Sequence, residues 1–159
     1  MEQRFAFEAV ADDYDRYRPG YPDQLFADLA AEAGVTSASR ILEVGCGAGQ
    51  ATRGLASLGA PLLAIDPGAA LLHAAANRVG RAPHVAFEQA TFEAWPLQAE
   101  AFDVVAAAQA WHWIDPGIRF EKAAMALRPG GVLAVMGNVP MPAPEALIAA
   151  IEPLYRRLA

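Results

Sequence analysis

The stretch Ile41-Leu42-Glu43-Val44-Gly45-Cys46-Gly47-Ala48-Gly49 decides the fold. Aliphatic residues crowded around a single acid have the composition of a short strand covered on both faces, as in a parallel sheet. Glycines at 45, 47 and 49 follow it directly. Glycine takes positive φ without strain and carries no side chain, so such a turn brings backbone close to a ligand. A helix is expected next, over residues 49–58, closed by Gly59. Strand, glycine turn and helix together read as the opening βα unit of a parallel sheet. Alternating glycines alone also make a plain tight turn, so the reading rests on what surrounds them.

Outward from this unit the same alternation continues, with Gly or Pro at nearly every junction. Strands are expected at 40–44, 62–66, 85–89, 102–108 and 132–137, and helices at 22–34, 68–79, 117–127 and 144–158. Arg128-Pro129-Gly130-Gly131 is expected as a turn into the fifth strand, and Val139-Pro140-Met141-Pro142-Ala143-Pro144 as a stiff, extended connector. The fold class is therefore α/β, a doubly wound parallel sheet of five strands. The 159 residues fit one domain. Residues 1–34 form an N-terminal helical region, 35–138 the core and 139–159 a C-terminal helix.

A net charge of -6 and a pI near 5.0, with no cluster of Lys and Arg, argue against nucleic acid as a general partner. Arg156-Arg157 reads as a helix C-terminal charge. Cys46 is the single cysteine and the three histidines are scattered, so neither an internal disulfide nor a metal site is expected. No apolar run approaches the ~18 residues of a membrane span. The start Met1-Glu2-Gln3-Arg4-Phe5 lacks the layout of a secretion signal, which leaves a soluble, cytoplasmic protein as the expectation.

Two residues beside the glycines indicate what the loop takes. A dinucleotide turn places glycine or alanine three positions beyond its second glycine, where the pyrophosphate meets the helix N-terminus. Here that position is Gln50. Glu43 sets a carboxylate next to the loop, which repels a pyrophosphate and attracts a cationic end such as an ammonium. Both disfavour a nicotinamide-dependent oxidoreductase. Asp66, at the end of the second strand, has the spacing of a residue that accepts ribose hydroxyls. In Asp66-Pro67-Gly68 it also suits an Asx turn or a helix cap, and the two roles are compatible.

These residues are joined by Phe92-Glu93-Ala94-Trp95-Pro96-Leu97, by Phe102-Asp103-Val104-Val105 and by Leu127-Arg128-Pro129-Gly130-Gly131. Together they resemble the class I S-adenosylmethionine (SAM)-dependent methyltransferases of Rossmann-like fold, of the small-molecule type similar to the trans-aconitate methyltransferase and type 11 group. The resemblance covers nearly the whole chain and extends to Tyr14-Asp15-Arg16-Tyr17-Arg18-Pro19-Gly20-Tyr21-Pro22 and Gln109-Ala110-Trp111-His112-Trp113. It implies S-adenosyl-L-methionine as cofactor, with S-adenosyl-L-homocysteine as product, and a small-molecule substrate. The loop of Gly45, Cys46, Gly47 and Gly49 would border the methionine portion, Glu43 its amino group, and Asp66 with Pro67 the ribose. Adenine would lie beside Thr91 and Phe92, and the methionine tail and methyl beside Gln109 and Ala110. Thr91 departs from the family pattern, which has an acid there. The family sheet also carries a C-terminal antiparallel hairpin that nothing after Gly137 supplies, so the fifth strand has an open edge. The last helix, a second copy of the chain or another partner would have to cover it.

Methyl transfer from a sulfonium is an in-line displacement in which positioning carries most of the advantage. A carboxylate needs no base; a hydroxyl or ammonium does, and His112 is the candidate. His112 is equally readable as a packing residue, while His73 and His84 read as surface. Trp111 and Trp113 either wall the substrate pocket or pack beneath the loop. Tyr14, Tyr17 and Arg18 either close over the cofactor or form the apolar face of a short helix, with Arg18 a candidate carboxylate partner. Cys46 has no neighbouring base, and its small size suffices to explain it. Two functions stay open: an enzyme that methylates a small molecule, and a non-catalytic SAM-binding or interaction module.

Overall fold

The computed structural model describes residues 20–139 and 144–158. Tyr14, Tyr17 and Arg18 lie outside them, as does part of the expected connector. The elements run in the order α1 (Asp23–Ala33), β1 (Ile41–Val44), α2 (Thr52–Ala56), β2 (Leu62–Asp66), α3 (Ala69–Val79) and β3 (Val85–Gln89). They continue with β4 (Phe102–Ala108), a 3-10 turn (Trp111–Trp113), α4 (Arg119–Ala126), β5 (Leu127–Met136) and α5 (Glu145–Leu158).

All five strands are parallel, in the order β3-β2-β1-β4-β5, a Rossmann-like half-sheet. β1 is central: Ile41 faces Leu62 of β2 on one side and Val104 of β4 on the other, and all four of its residues are buried. Successive side chains alternate between faces. Ile41, Leu62, Val104 and Ala106 pack with Phe26 of α1 and Leu55 of α2 on one face. Leu42, Val44, Ile65 and Val105 pack with Trp95 and with Ala123 and Ala126 of α4 on the other. Crossovers leave β1 toward β2 and then β4 in opposite directions, so the chain diverges at the carboxyl ends of β1 and β4. In such sheets ligands bind at that point.

Two elements differ from the sequence reading by more than two residues. α2 is a five-residue helix rather than one over 49–58, because Gly45 to Gly49 are spent on the turn before it. β5 begins at Leu127, so the turn expected at Arg128-Pro129-Gly130-Gly131 lies within the strand as an irregularity: the register passes from Phe102↔Leu127 to Val104↔Val132. Asp103 fixes it. One carboxylate oxygen accepts from Arg40 N at 2.7 Å, at the start of β1, and the other is ion-paired with Arg128. Among the described residues β5 pairs only with β4, and Val135 is exposed. Leu147 and Ile148 of α5 are also exposed. Among the described residues no helix is long and apolar enough to cross a membrane.

Gly54 shows how closely α2 sits on α1. A Cβ there would stand 2.0 Å from Phe26 Cε2, and that ring is buried. Alanine normally gains about 1 kcal/mol over glycine inside a helix. Here the clash outweighs it, and Gly54→Ala is expected to destabilise the fold by about 1–3 kcal/mol in urea unfolding. A stabilised variant would show that α1 yields at no cost.

Candidate functional site

At the carboxyl ends of β1, β2 and β4 the chain encloses a cavity of about 960 Å³, counted to its open mouth. Its floor is the glycine turn. Gly45 has φ 68°, and a Cβ on it would lie 2.5 Å from Ala110 Cβ, so only glycine lets β1 turn beneath the loop that follows β4. Gly49 stands behind the cavity, where a Cβ would come within 2.8 Å of Ala75 Cα in α3. The turn is held by Asp66. Its Oδ2 accepts from Gly47 N and its Oδ1 from Gly68 N, both at 2.9 Å, which ties the turn after β1 to the turn after β2. The Asx-turn reading of Asp66 is thus realised through Gly68.

Glu43 is the unusual group. It is 1% exposed at the heart of the sheet and reaches the cavity, and its Oε2 has no hydrogen-bond partner among the described residues. Burial pushes its pKa from 4.5 up to about 7. The nearby Thr52 hydroxyl offsets part of this without meeting hydrogen-bond geometry, and the charge of Asp66 adds to it. Cys46, buried beside these two acids, has its thiol pushed well above the ordinary range, chiefly by burial, so it is a poor nucleophile here.

The two side walls come from the turns after β3 and β4. Thr91, Phe92 and Glu93 form one, and Gln109, Ala110, Trp113 and Ile114 the other. Gln109 takes φ 54°, rare for a residue with a side chain, and is held by Gln109 N donating to Met136 O at 2.9 Å and its Nε2 to Asn138 O at 3.1 Å. Such a backbone conformation tends to persist at functional sites. Glu43, Asp66 and Glu93 are acidic, while no Lys, Arg or His stands among the described lining residues.

The structure therefore brings together Glu43, Gly45, Cys46, Gly47, Asp66, Pro67, Thr91, Phe92, Gln109, Ala110 and Trp113 around one cavity. It does not bring Trp111 or His112 to the lining. Trp111 is buried in the core against Phe120, at 5.3 Å between ring centroids. His112 is exposed, and its ring is tilted against that of Trp113, with centroids 4.8 Å apart. His73 is exposed, whereas His84 is half-buried with its Nε2 2.9 Å from Ala56 O, so it is not a surface residue. Sequence reasoning passed over Tyr21, Leu71, Glu93 and Ile114, which also line the cavity. Ile114 was signalled only by its place after an aromatic run. No cluster of metal-ligating side chains occurs among the described residues.

The buried acid predicts how stability responds to pH. Unfolded, Glu43 ionises near 4.5; folded, it holds its proton to about 7. Within that window the folded chain binds more protons, so its stability falls as pH rises, by on the order of 3 kcal/mol in total, and levels off above 7. Glu43→Gln should remove that slope in urea unfolding between pH 4.5 and 7.5. An unchanged slope would show that Glu43 ionises normally.

Comparison with known proteins agrees with this geometry. The family model for a methyltransferase domain, type 11, matches residues 42–135. An uncharacterised methyltransferase of Mycobacterium tuberculosis is 33% identical over 137 residues, covering 86% of this chain and 54% of that protein. The trans-aconitate 2-methyltransferase of Paracidovorax citrulli is 34% identical over 125 residues, covering 76% of this chain and 45% of the relative. Among solved structures, a type II methyltransferase assigned in Anaeromyxobacter dehalogenans superposes with a TM-score of 0.68 at 35% identity, over 89% of this chain and 58% of that one. The chain spans about half the length of the curated relatives it matches. Its glycine turn, five-stranded parallel sheet and sequence matches place it in the type 11 methyltransferase domain family.

Proposed function

We propose that the chain binds S-adenosylmethionine in this cavity and serves methyl transfer to a small molecule. The observation that carries the reading is Glu43, a buried carboxyl group facing a cavity floored by the glycine turn, with no cation among the described lining residues. A ligand with an ammonium end supplies the missing positive charge. A phosphate-ended ligand would meet Glu43, Asp66 and Glu93 with no cation in the described lining. The residues fit the cofactor in two further respects. The absence of a side chain at Gly45 and Gly47 leaves backbone facing the cavity, and Asp66 has acceptor capacity for ribose hydroxyls. Phe92 offers an apolar wall for adenine.

When bound, the cofactor supplies an electrophilic methyl on a sulfonium. The chain's own part is to orient and desolvate. Gln109 and Ala110, fixed by the αL backbone and the Asn138 contact, border the space for the methyl, and Trp113 and Ile114 wall the substrate side. Placing reactants in line can supply most of the rate advantage without proton transfer. That suits an anionic nucleophile such as a carboxylate, and a relative named for trans-aconitate is consistent with it. His112 acts as base only for a nucleophile that must lose a proton, and its ring lies against Trp113 of the cavity wall.

Titration calorimetry with S-adenosylhomocysteine tests the reading. The native chain is expected to bind, and Glu43→Gln to weaken binding by roughly tenfold through loss of an ammonium partner. Folded protein that takes no cofactor would overturn the proposal. Because Glu43 must lose its proton to meet an ammonium, affinity should rise between pH 5 and about 7, by up to about tenfold per unit, and then flatten. A flat profile would detach the amino group from Glu43. A tritiated-methyl screen over small acids, amines and phenols then identifies acceptors. For a carboxylate acceptor, His112→Ala should leave kcat within about threefold. A loss of roughly a hundredfold would make His112 the base. Binding without transfer to any acceptor would favour a non-catalytic module.

A further inference from the structure

Helix α4 lends no side chain to the cavity, yet two of its cations end on the turns that form the cavity walls. Lys122 Nζ donates to Glu93 O at 2.9 Å and to Trp95 O at 2.6 Å. It lies 5.5 Å from the Phe92 ring centroid and 5.9 Å from that of Trp95. One turn earlier, Arg119 Nη1 donates to Trp111 O at 3.0 Å, and its guanidinium covers the Trp111 and Phe120 rings. The two walls are also joined directly, because Glu93 Oε1 accepts from Asp115 N at 3.0 Å.

The turn at residues 91–95 has little holding it from within: Trp95 N donates to Thr91 O at 2.9 Å and Ala94 N to Thr91 Oγ1 at 3.2 Å. Phe92 and Trp95 anchor the turn by burying their rings in the core, but its peptide groups lie outside any strand ladder and are left to such local bonds. An ammonium among aromatic faces makes charge-assisted bonds stronger than neutral ones, and it fixes two peptide planes at once. Burial lowers the Lys122 pKa, with Glu93 opposing that change. α4 does not need Lys122 to stay on the sheet, since Ala123 and Ala126 are fully buried against it.

We propose that Lys122 is a positioning residue for the adenine end of the cofactor, holding the 91–95 turn so that Phe92 and Glu93 stand at the cavity wall. Through the bond from Glu93 to Asp115 the same register reaches the wall of Trp113 and Ile114. This role rests on the cofactor reading above, and it concerns a residue that the ligand never touches.

The experiment measures binding of S-adenosylhomocysteine and of adenosine by calorimetry, at a temperature where every protein is folded. Lys122→Met keeps the apolar stem and removes the ammonium. Both Kd values are expected to rise by about tenfold, leaving their ratio unchanged because the methionine end is untouched. Lys122→Gln, which keeps a donor, is expected to lose about threefold and replaces Lys122→Met if that variant does not fold. Leu62→Ala, in the core on the opposite sheet face at the amino end of β2, serves as a control: it should lower Tm without changing either Kd. Affinities within twofold of native in a folded Lys122 variant would overturn the role and leave Lys122 a structural pin. If the native chain binds neither ligand, the cofactor reading fails, and the positioning role with it.

Discussion

A carboxyl group buried at the end of the central strand, with no cation beside it among the described lining residues, is the constraint on which the site depends. Glu43 is enclosed by β2 and β4 at the point where the crossovers part, and burial holds its proton to about 7. A buried charge without a partner is costly, and a fold tolerates one mainly where function uses it. Around this acid the remaining pieces make one assembly. Asp66 ties the glycine turn to the end of β2, and Gly45 lets the loop after β4 close over β1. A cationic ligand end would relieve the cost that the folded chain carries above pH 7.

The sheet was legible because its signals are local. β1 to β4 announce themselves as short runs rich in aliphatic and aromatic residues, the first closed by Gly45 and the second set between Pro61 and Pro67, and their limits agree with the sequence to within a residue. What was not legible depends on partners far along the chain. The irregularity at Arg128-Pro129-Gly130-Gly131 reads as a turn because Pro and Gly usually end strands. Asp103, which makes it part of β5, lies on another strand. The short α2 was hidden for a related reason: a helix-compatible sequence from Gly49 onward says nothing of how many residues the turn consumes.

The candidate site divides in the same way. Residues at strand ends, Glu43, Asp66 and Gln109, could be placed from register alone, and all three reach one cavity. The aromatic segment after β4 could not be resolved by pattern, because a three-residue turn sends neighbouring side chains in different directions. Trp111 goes into the core and Trp113 to the cavity. Lys122 and Arg119 carried no motif at all. Their significance lies in carbonyls some 8 to 29 residues away in sequence, which periodicity does not report.

The chemistry of the site depends on which end of the cofactor meets which acid. A crystal structure of the chain with S-adenosylhomocysteine decides it most directly. The amino group is expected at Glu43 and the glycine turn, ribose hydroxyls on Asp66, and adenine against Phe92. A ligand whose amino group lies away from Glu43, or that binds outside the cavity, would contradict this placement.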